Sequence, residues 1–185
     1  MRHLPNALTI ARILLTPFIG LALAGQQARA AFWMVFVAGF SDLFDGWAAR
    51  RFGWGSKLGA ILDPLADKFM LATVYLGLAA GGALPWWIVW LVLGRDLAIL
   101  AFGAWAWRRA AIREFPPTAW GKVSTFCQMA LAGWTMMGGA FPGLVEPEVI
   151  TISLWLAAAA TVWSALHYGW VGWRALREAS IDAAR

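Results

Sequence analysis

Six long apolar stretches, separated by short polar or Gly/Pro-rich breaks, account for nearly the whole chain. They lie near residues 7–24, 31–50, 58–80, 85–107, 119–140 and 149–172, and the breaks read GQQARA, RRFGWGSK, GGALP, RRAAIREFPPT and FPGLVEPE. A helix needs about 20 mostly apolar residues to cross a hydrocarbon core of about 30 Å. The pattern therefore predicts an all-α, polytopic membrane bundle of six transmembrane helices. Nothing in it suggests a second domain or a repeat, so residues 1–185 are expected to form one domain.

The basic residues fall on one side of these stretches. Arg2, then Arg50, Arg51 and Lys57, then Arg108, Arg109 and Arg113, and finally Arg174, Arg177 and Arg185 share that side, while the other holds only Arg29, with Glu146 and Glu148. An excess of Lys and Arg marks cytoplasmic loops, so both termini are expected in the cytoplasm. Trp86, Trp87 and Trp90 at the start of the fourth stretch, and Trp105 and Trp107 at its end, match the aromatic belts of membrane interfaces.

Composition narrows the class further. An apolar content of 61% with 14 Trp and a mean hydropathy of +0.64 exclude an ordinary soluble protein. The net charge of +5 invites a nucleic-acid reading, yet the cations flank membrane segments, where anionic headgroups are the nearer partner. No nucleic acid is expected. The single Cys127 excludes an internal disulfide and gives no sign of an oxidising compartment. The basic N-terminus has some signal-peptide character, but Arg12 breaks its apolar run and no clear cleavage site follows; it reads as a retained first helix.

Against this background four aspartates stand out. Asp42 and Asp45 are three apart, and Asp63 and Asp67 are four apart. On helices each spacing puts both carboxylates on one face. Ionisable residues inside membrane segments cost about 2.5–3.5 kcal/mol even on a lenient insertion scale, so this cluster requires a purpose. Carboxylate oxygens suit Mg²⁺ or Mn²⁺, and a magnesium site usually completes its shell with water and substrate phosphate. A phosphate-bearing substrate is implied, and because these segments meet at the basic side, the site faces the cytoplasm.

The stretch DLFDGWAARRFGWGSKLGAILDPLAD resembles the signature of the CDP-alcohol phosphatidyltransferases. Asp42, Asp45, Gly46, Ala49, Arg50, Gly59, Asp63 and Asp67 fill that family's pattern without a gap. The resemblance covers the whole length, since the family has a six-helix membrane core. It implies transfer of a phosphatidyl group from CDP-diacylglycerol to an alcohol, release of CMP, and two divalent ions. It makes Asp42, Asp45 and Asp63 metal ligands, with Asp67 both ligand and general base. Gly46, Ala49, Arg50 and Gly59 then belong to the CDP-lipid site: glycine lets a ligand approach the backbone, although small residues also serve helix packing, and Arg50 offers phosphate a planar donor fork. Asn6, Thr9 and Arg12, three apart, resemble the family's first-helix arrangement that closes the donor-phosphate side; a cap followed by a snorkelling arginine would look the same.

Two further cations are singled out by position. Arg95, beside Asp96, interrupts the fourth segment, and Lys122 opens the fifth. Buried charges in membranes commonly pair with each other, but turned inward the two would bind an anionic acceptor. The expected acceptor is glycerol 3-phosphate, as in the phosphatidylglycerophosphate-forming subgroup, with a cardiolipin synthase using phosphatidylglycerol as the alternative. A cation transporter is the alternative from another class, because intramembrane aspartates also mark ion paths. The apolar outer halves show no continuing polar path. A bacterial inner-membrane location is expected. Many family members are dimers, which leaves a homodimer open.

Overall fold

The computed structural model describes residues 4–52, 59–109 and 118–182, and gives the backbone alone for 4–8, 42–52, 59–62, 106–109 and several positions beyond 174. Every element among the described residues is helical: α1 (Leu4–Ala24), α2 (Ala28–Phe52), α3 (Gly59–Ala80), α4 (Trp86–Arg109), α5 (Ala119–Ala140) and α6 (Pro147–Asp182). The apolar pattern located these six to within a few residues, except at the end of α6. There the apolar run stops but the helix does not, because ALREASID contains good helix formers. Arg174 and Arg177 lie over the rings of Trp170 and Trp173, one turn back, at 4.5 and 5.4 Å.

Two compact units divide the chain. The first holds residues 1–85 and 132–147, and in it α1 packs against both α2 and α3. One stripe of α1 is buried, running Thr9, Arg12, Thr16, Ile19 and Leu23, while Ile10, Leu14, Phe18 and Leu21 on other faces are exposed. That polarity is inverted relative to a water-soluble helix. The turn after α1 places Gln26 at φ 58° and bonds Gln27 N–H to the Ala22 carbonyl at 2.8 Å. The turn after α3 repeats the motif with Gly82 at φ 80° and Ala83 N–H bonding to Leu78 O at 2.8 Å, so both helices end in Schellman caps.

Small residues let α1 and α3 approach closely. A Cβ on Gly77 would lie 2.8 Å from Leu23 Cβ and 2.9 Å from the Gly20 carbonyl oxygen, and one on Gly81 would lie 2.4 Å from the Leu23 carbonyl oxygen. Backbone atoms cannot swing aside as a side chain can. Gly77→Ala is therefore expected to destabilise the protein by about 1–3 kcal/mol, the usual scale of overpacking, whereas Gly39→Ala, with nothing within 4 Å, should not. Thermal unfolding in detergent checks this: equal melting temperatures for the two variants would contradict the close packing.

The second unit holds residues 86–131 and 148–185. Its buried stripes are mixed: Ile88, Val92 and Arg95 on α4, Ser124, Gln128 and Leu131 on α5, and Ala157, Thr161 and Ser164 on α6. Gln128 Nε2 donates to Ser124 Oγ at 3.2 Å and to Thr161 Oγ1 at 3.0 Å, and Thr161 donates back to Ala157 O at 2.6 Å. These groups tie α5 to α6 through the middle of apolar helices, as polar residues do in membrane bundles.

Among the described residues, Trp86–Trp105 and Pro147–Arg174 are long and apolar enough to cross a membrane, and Thr9–Ala24 and Ala28–Ser41 are shorter apolar stretches. By that measure two of the six expected spans are met. In α3 the charges Asp63, Asp67 and Lys68 lower the hydropathy, as Lys122 and Gln128 do in the first half of α5, whereas Thr9–Ala24 and Ala28–Ser41 are the parts of α1 and α2 described with their side chains.

Candidate functional site

The two described aspartates of the signature lie on the first turns of α3, on either side of Pro64 and Ala66, and α1 supplies their partners. Asp63 is half-buried and accepts a 2.6 Å hydrogen bond from Thr9 Oγ1. Asp67 is exposed and accepts a 2.8 Å charge-assisted bond from Arg12 Nη1. The Arg12 side chain is only 4% exposed against 54% for that of Asp67, so a buried guanidinium orients a carboxylate that faces outward. Thr9 and Arg12 are one turn apart on α1, Asp63 and Asp67 one turn apart on α3, and the two pairs meet rung by rung.

Asp42, Asp45, Gly46, Ala49 and Arg50 fall on the last turns of α2, and Gly59 opens α3. Their side-chain surroundings, and those of Asn6, lie outside the described residues. Among the described residues no group of three or more His, Cys, Asp or Glu gathers. The donor chemistry nevertheless fits a hard divalent cation: carboxylates alone, one half-buried with a supporting hydrogen bond and one open to an incoming ligand.

A second polar cluster lies within the other unit. Arg95 is buried, and its guanidinium donates to Asp96 Oδ1 at 2.6 Å and to Ser164 Oγ at 2.5 Å. Arg95 lies over the Tyr168 ring at 5.6 Å. Its Nε is buried with no hydrogen-bond partner. Arg95 and Tyr168 line a cavity of about 300 Å³ together with Ala98, Phe102, Ala165 and Gly169. The expected inward turn is thus seen for Arg95, and so is the pairing with an acidic neighbour. Lys122 differs: its side chain is exposed and is not part of that lining. An ammonium on a flexible stem lowers its energy by reaching solvent or headgroups, and position in the sequence does not reveal which way it reaches.

Sequence reasoning passed over Ser164 and Tyr168. The available signal was the polar stripe Thr161, Ser164, Tyr168 along one face of an otherwise apolar α6, at helical spacing.

Comparison with known proteins fixes the family. The chain belongs to the CDP-alcohol phosphatidyltransferase family, whose model matches residues 2–163, a range that takes in both aspartate pairs, Arg95 and Lys122. It is therefore an enzyme of that family. The probable phosphatidylglycerophosphate synthase of Mycobacterium tuberculosis is 37% identical over 166 residues, covering 86% of this chain and 78% of that protein. The CDP-diacylglycerol–glycerol-3-phosphate 3-phosphatidyltransferase of Rickettsia felis is 30% identical over 179 residues, covering 90% and 93%. Crystal structures of Mycobacterium tuberculosis phosphatidylinositol phosphate synthase share the fold at 20% identity: the complex with manganese and citrate has a TM-score of 0.68 over 91% of this chain and 82% of that one, and the complex with CDP-DAG has 0.69 over 91% and 86%.

Proposed function

We propose that this protein transfers the phosphatidyl group of CDP-diacylglycerol to glycerol 3-phosphate, forming phosphatidylglycerophosphate and CMP, in one catalytic domain over residues 1–185. The observation that carries the reading is the pairing of Thr9 with Asp63 and of Arg12 with Asp67, which orders half of an unbroken family signature. The names of the similar mycobacterial and rickettsial proteins support the acceptor.

In this reading Asp42, Asp45, Asp63 and Asp67 hold two Mg²⁺ or Mn²⁺ ions. When bound, such ions neutralise the diphosphate and stabilise the attacking and leaving oxygens of an in-line displacement. Asp67 takes the proton of the acceptor hydroxyl on a carboxylate oxygen as that hydroxyl's oxygen bonds to the phosphatidyl phosphorus. The bond from that phosphorus to the CMP oxygen breaks, and CMP leaves. Arg12 keeps Asp67 aimed for this step, and Thr9 steadies Asp63. Asn6, Gly46, Ala49, Arg50 and Gly59 complete the CDP-lipid site. Arg95, with its buried Nε unsatisfied, receives the acceptor's phosphate by charge-assisted hydrogen bonds, and Lys122, exposed at the start of α5, reaches that phosphate on its flexible stem from outside the cavity that Arg95 lines.

All six helices cross the membrane, and the active site faces the cytoplasm of a bacterial inner membrane. Support comes from the exposed apolar residues on every helix, among them Phe18, Phe36, Phe69, Leu100, Phe126 and Trp155, combined with the one-sided Lys and Arg distribution. Cysteines introduced near positions 54 and 112 should react with an impermeant reagent from the cytoplasm, and one at 82 should not. Labelling of position 82 from that side would contradict six spans.

Acceptor choice is tested by incubating the purified protein with CDP-diacylglycerol and either glycerol 3-phosphate or phosphatidylglycerol, with products resolved by mass. Phosphatidylglycerophosphate is expected from the first. Cardiolipin as the sole product would overturn the acceptor and leave phosphatidyl transfer intact.

A further inference from the structure

Tyr168 touches both places from which the acceptor cations project. Its ring lies 5.6 Å from the Arg95 guanidinium carbon, a face-on arrangement that attracts a cation. Its hydroxyl accepts a 3.2 Å hydrogen bond from the Thr118 backbone N–H. Thr118 is the residue before α5, and it caps that helix through a 3.1 Å bond from Gly121 N–H to its Oγ1; its carbonyl accepts the Lys122 N–H at 3.3 Å. The first turn of α5, with Lys122 on it, is thus tied through Thr118 to the Tyr168 hydroxyl.

Gly121 makes the approach feasible. A Cβ there would stand 2.9 Å from the Tyr168 hydroxyl, 3.2 Å from its Cε2 and 3.4 Å from Arg95 Nη2. Even an alanine would push the tyrosine hydroxyl off the α5 cap, while the guanidinium would stay at ordinary contact distance. Ser164, one turn before Tyr168 on α6, holds the same Nη2 at 2.5 Å. The arginine is therefore gripped along one face of α6.

We propose that Tyr168 is a positioning residue for the acceptor: its ring seats Arg95, its hydroxyl anchors the α5 cap, and one α6 side chain thereby sets the placement of both cations that receive the acceptor's phosphate. This rests on the acceptor roles given above to Arg95 and Lys122. It adds a residue outside the family signature, and it predicts a substrate-selective defect that a purely structural tyrosine would not give.

The test uses the full-length protein in detergent with Mn²⁺, varying each substrate at saturation of the other. Tyr168→Phe keeps the ring and loses only the hydroxyl, so KM for glycerol 3-phosphate should rise about fivefold, the scale of one hydrogen bond, with kcat and the KM for CDP-diacylglycerol unchanged. Tyr168→Leu also loses the cation contact and should raise it further, to more than about tenfold. Gly121→Ala should reproduce the selective rise, and the double variant Gly121→Ala with Tyr168→Phe should be no worse than Tyr168→Phe alone, because removing the hydroxyl removes the closest clash. If Tyr168→Leu fails to fold, the other two variants still decide. Unchanged KM for glycerol 3-phosphate in Tyr168→Phe and Gly121→Ala, where Arg95→Ala raises it, would overturn the positioning role alone; equal losses toward both substrates would do the same. An Arg95→Ala variant with unaltered KM for glycerol 3-phosphate would overturn the acceptor assignment, and this inference with it.

Discussion

Asp67→Asn is expected to stop phosphatidyl transfer, lowering kcat by about 10²–10⁴-fold, the range that a positioned general base contributes, while CDP-diacylglycerol still binds. The amide keeps the shape of the carboxylate and can still accept from Arg12 Nη1, now 2.8 Å from Asp67 Oδ1, so the α1–α3 packing is preserved. What it loses is the negative charge, and with it the capacity to take a proton and part of its hold on the metal. Asp67 is the open member of its pair, with a side chain 54% exposed above a guanidinium that is 4% exposed; an acceptor hydroxyl can reach it. Single-turnover kinetics with pre-bound CDP-diacylglycerol separates chemistry from binding. Near-normal turnover at saturating substrates would remove Asp67 from the base role.

Asp63→Asn should produce the second largest effect, and on a different observable. Its carboxylate is half-buried and oriented by Thr9 Oγ1 at 2.6 Å, the arrangement of a metal ligand with a supporting outer partner. Loss of even an outer partner typically costs 10–100-fold in metal affinity, so removing the ligand charge itself should weaken Mn²⁺ binding by more than about tenfold. Thr9→Val should fall within that outer-partner range. Electron paramagnetic resonance of free Mn²⁺ reads binding without any turnover. If Asp63→Asn bound Mn²⁺ as tightly as the parent, its ligand role would be wrong.

Much of this was legible in the sequence, for reasons that particular residues make plain. The six helices show because each apolar stretch ends at Gly, Pro or clustered charge, and Gly82 at φ 80° is one such end seen in the structure. The shared face of Thr9 and Arg12 was readable from their spacing of three, and both are buried on α1; the role expected of them was to close the donor-phosphate side, and what the structure shows is their hydrogen bonds to Asp63 and Asp67 on α3. The partnership itself was not readable, since a contact between residues 54 or 55 apart depends on how two helices pack. Tyr168 shows in the sequence only as the end of the polar stripe Thr161, Ser164 and Tyr168; its partners on α4 and at the start of α5 depend, like those of Thr9 and Arg12, on how helices pack. The orientation of Lys122 was not legible either, because a long flexible cation near a helix end has several ways to lower its energy.

Phosphatidyl transfer is read out by CMP release from the purified protein given CDP-diacylglycerol, glycerol 3-phosphate and Mn²⁺. The predicted result is CMP formed one-for-one with phosphatidylglycerophosphate, dependent on the acceptor and lost in Asp67→Asn. An absence of CMP with both substrates and Mn²⁺ present, in protein that carries Mn²⁺ across a vesicle membrane, would contradict the account and point to a transporter instead.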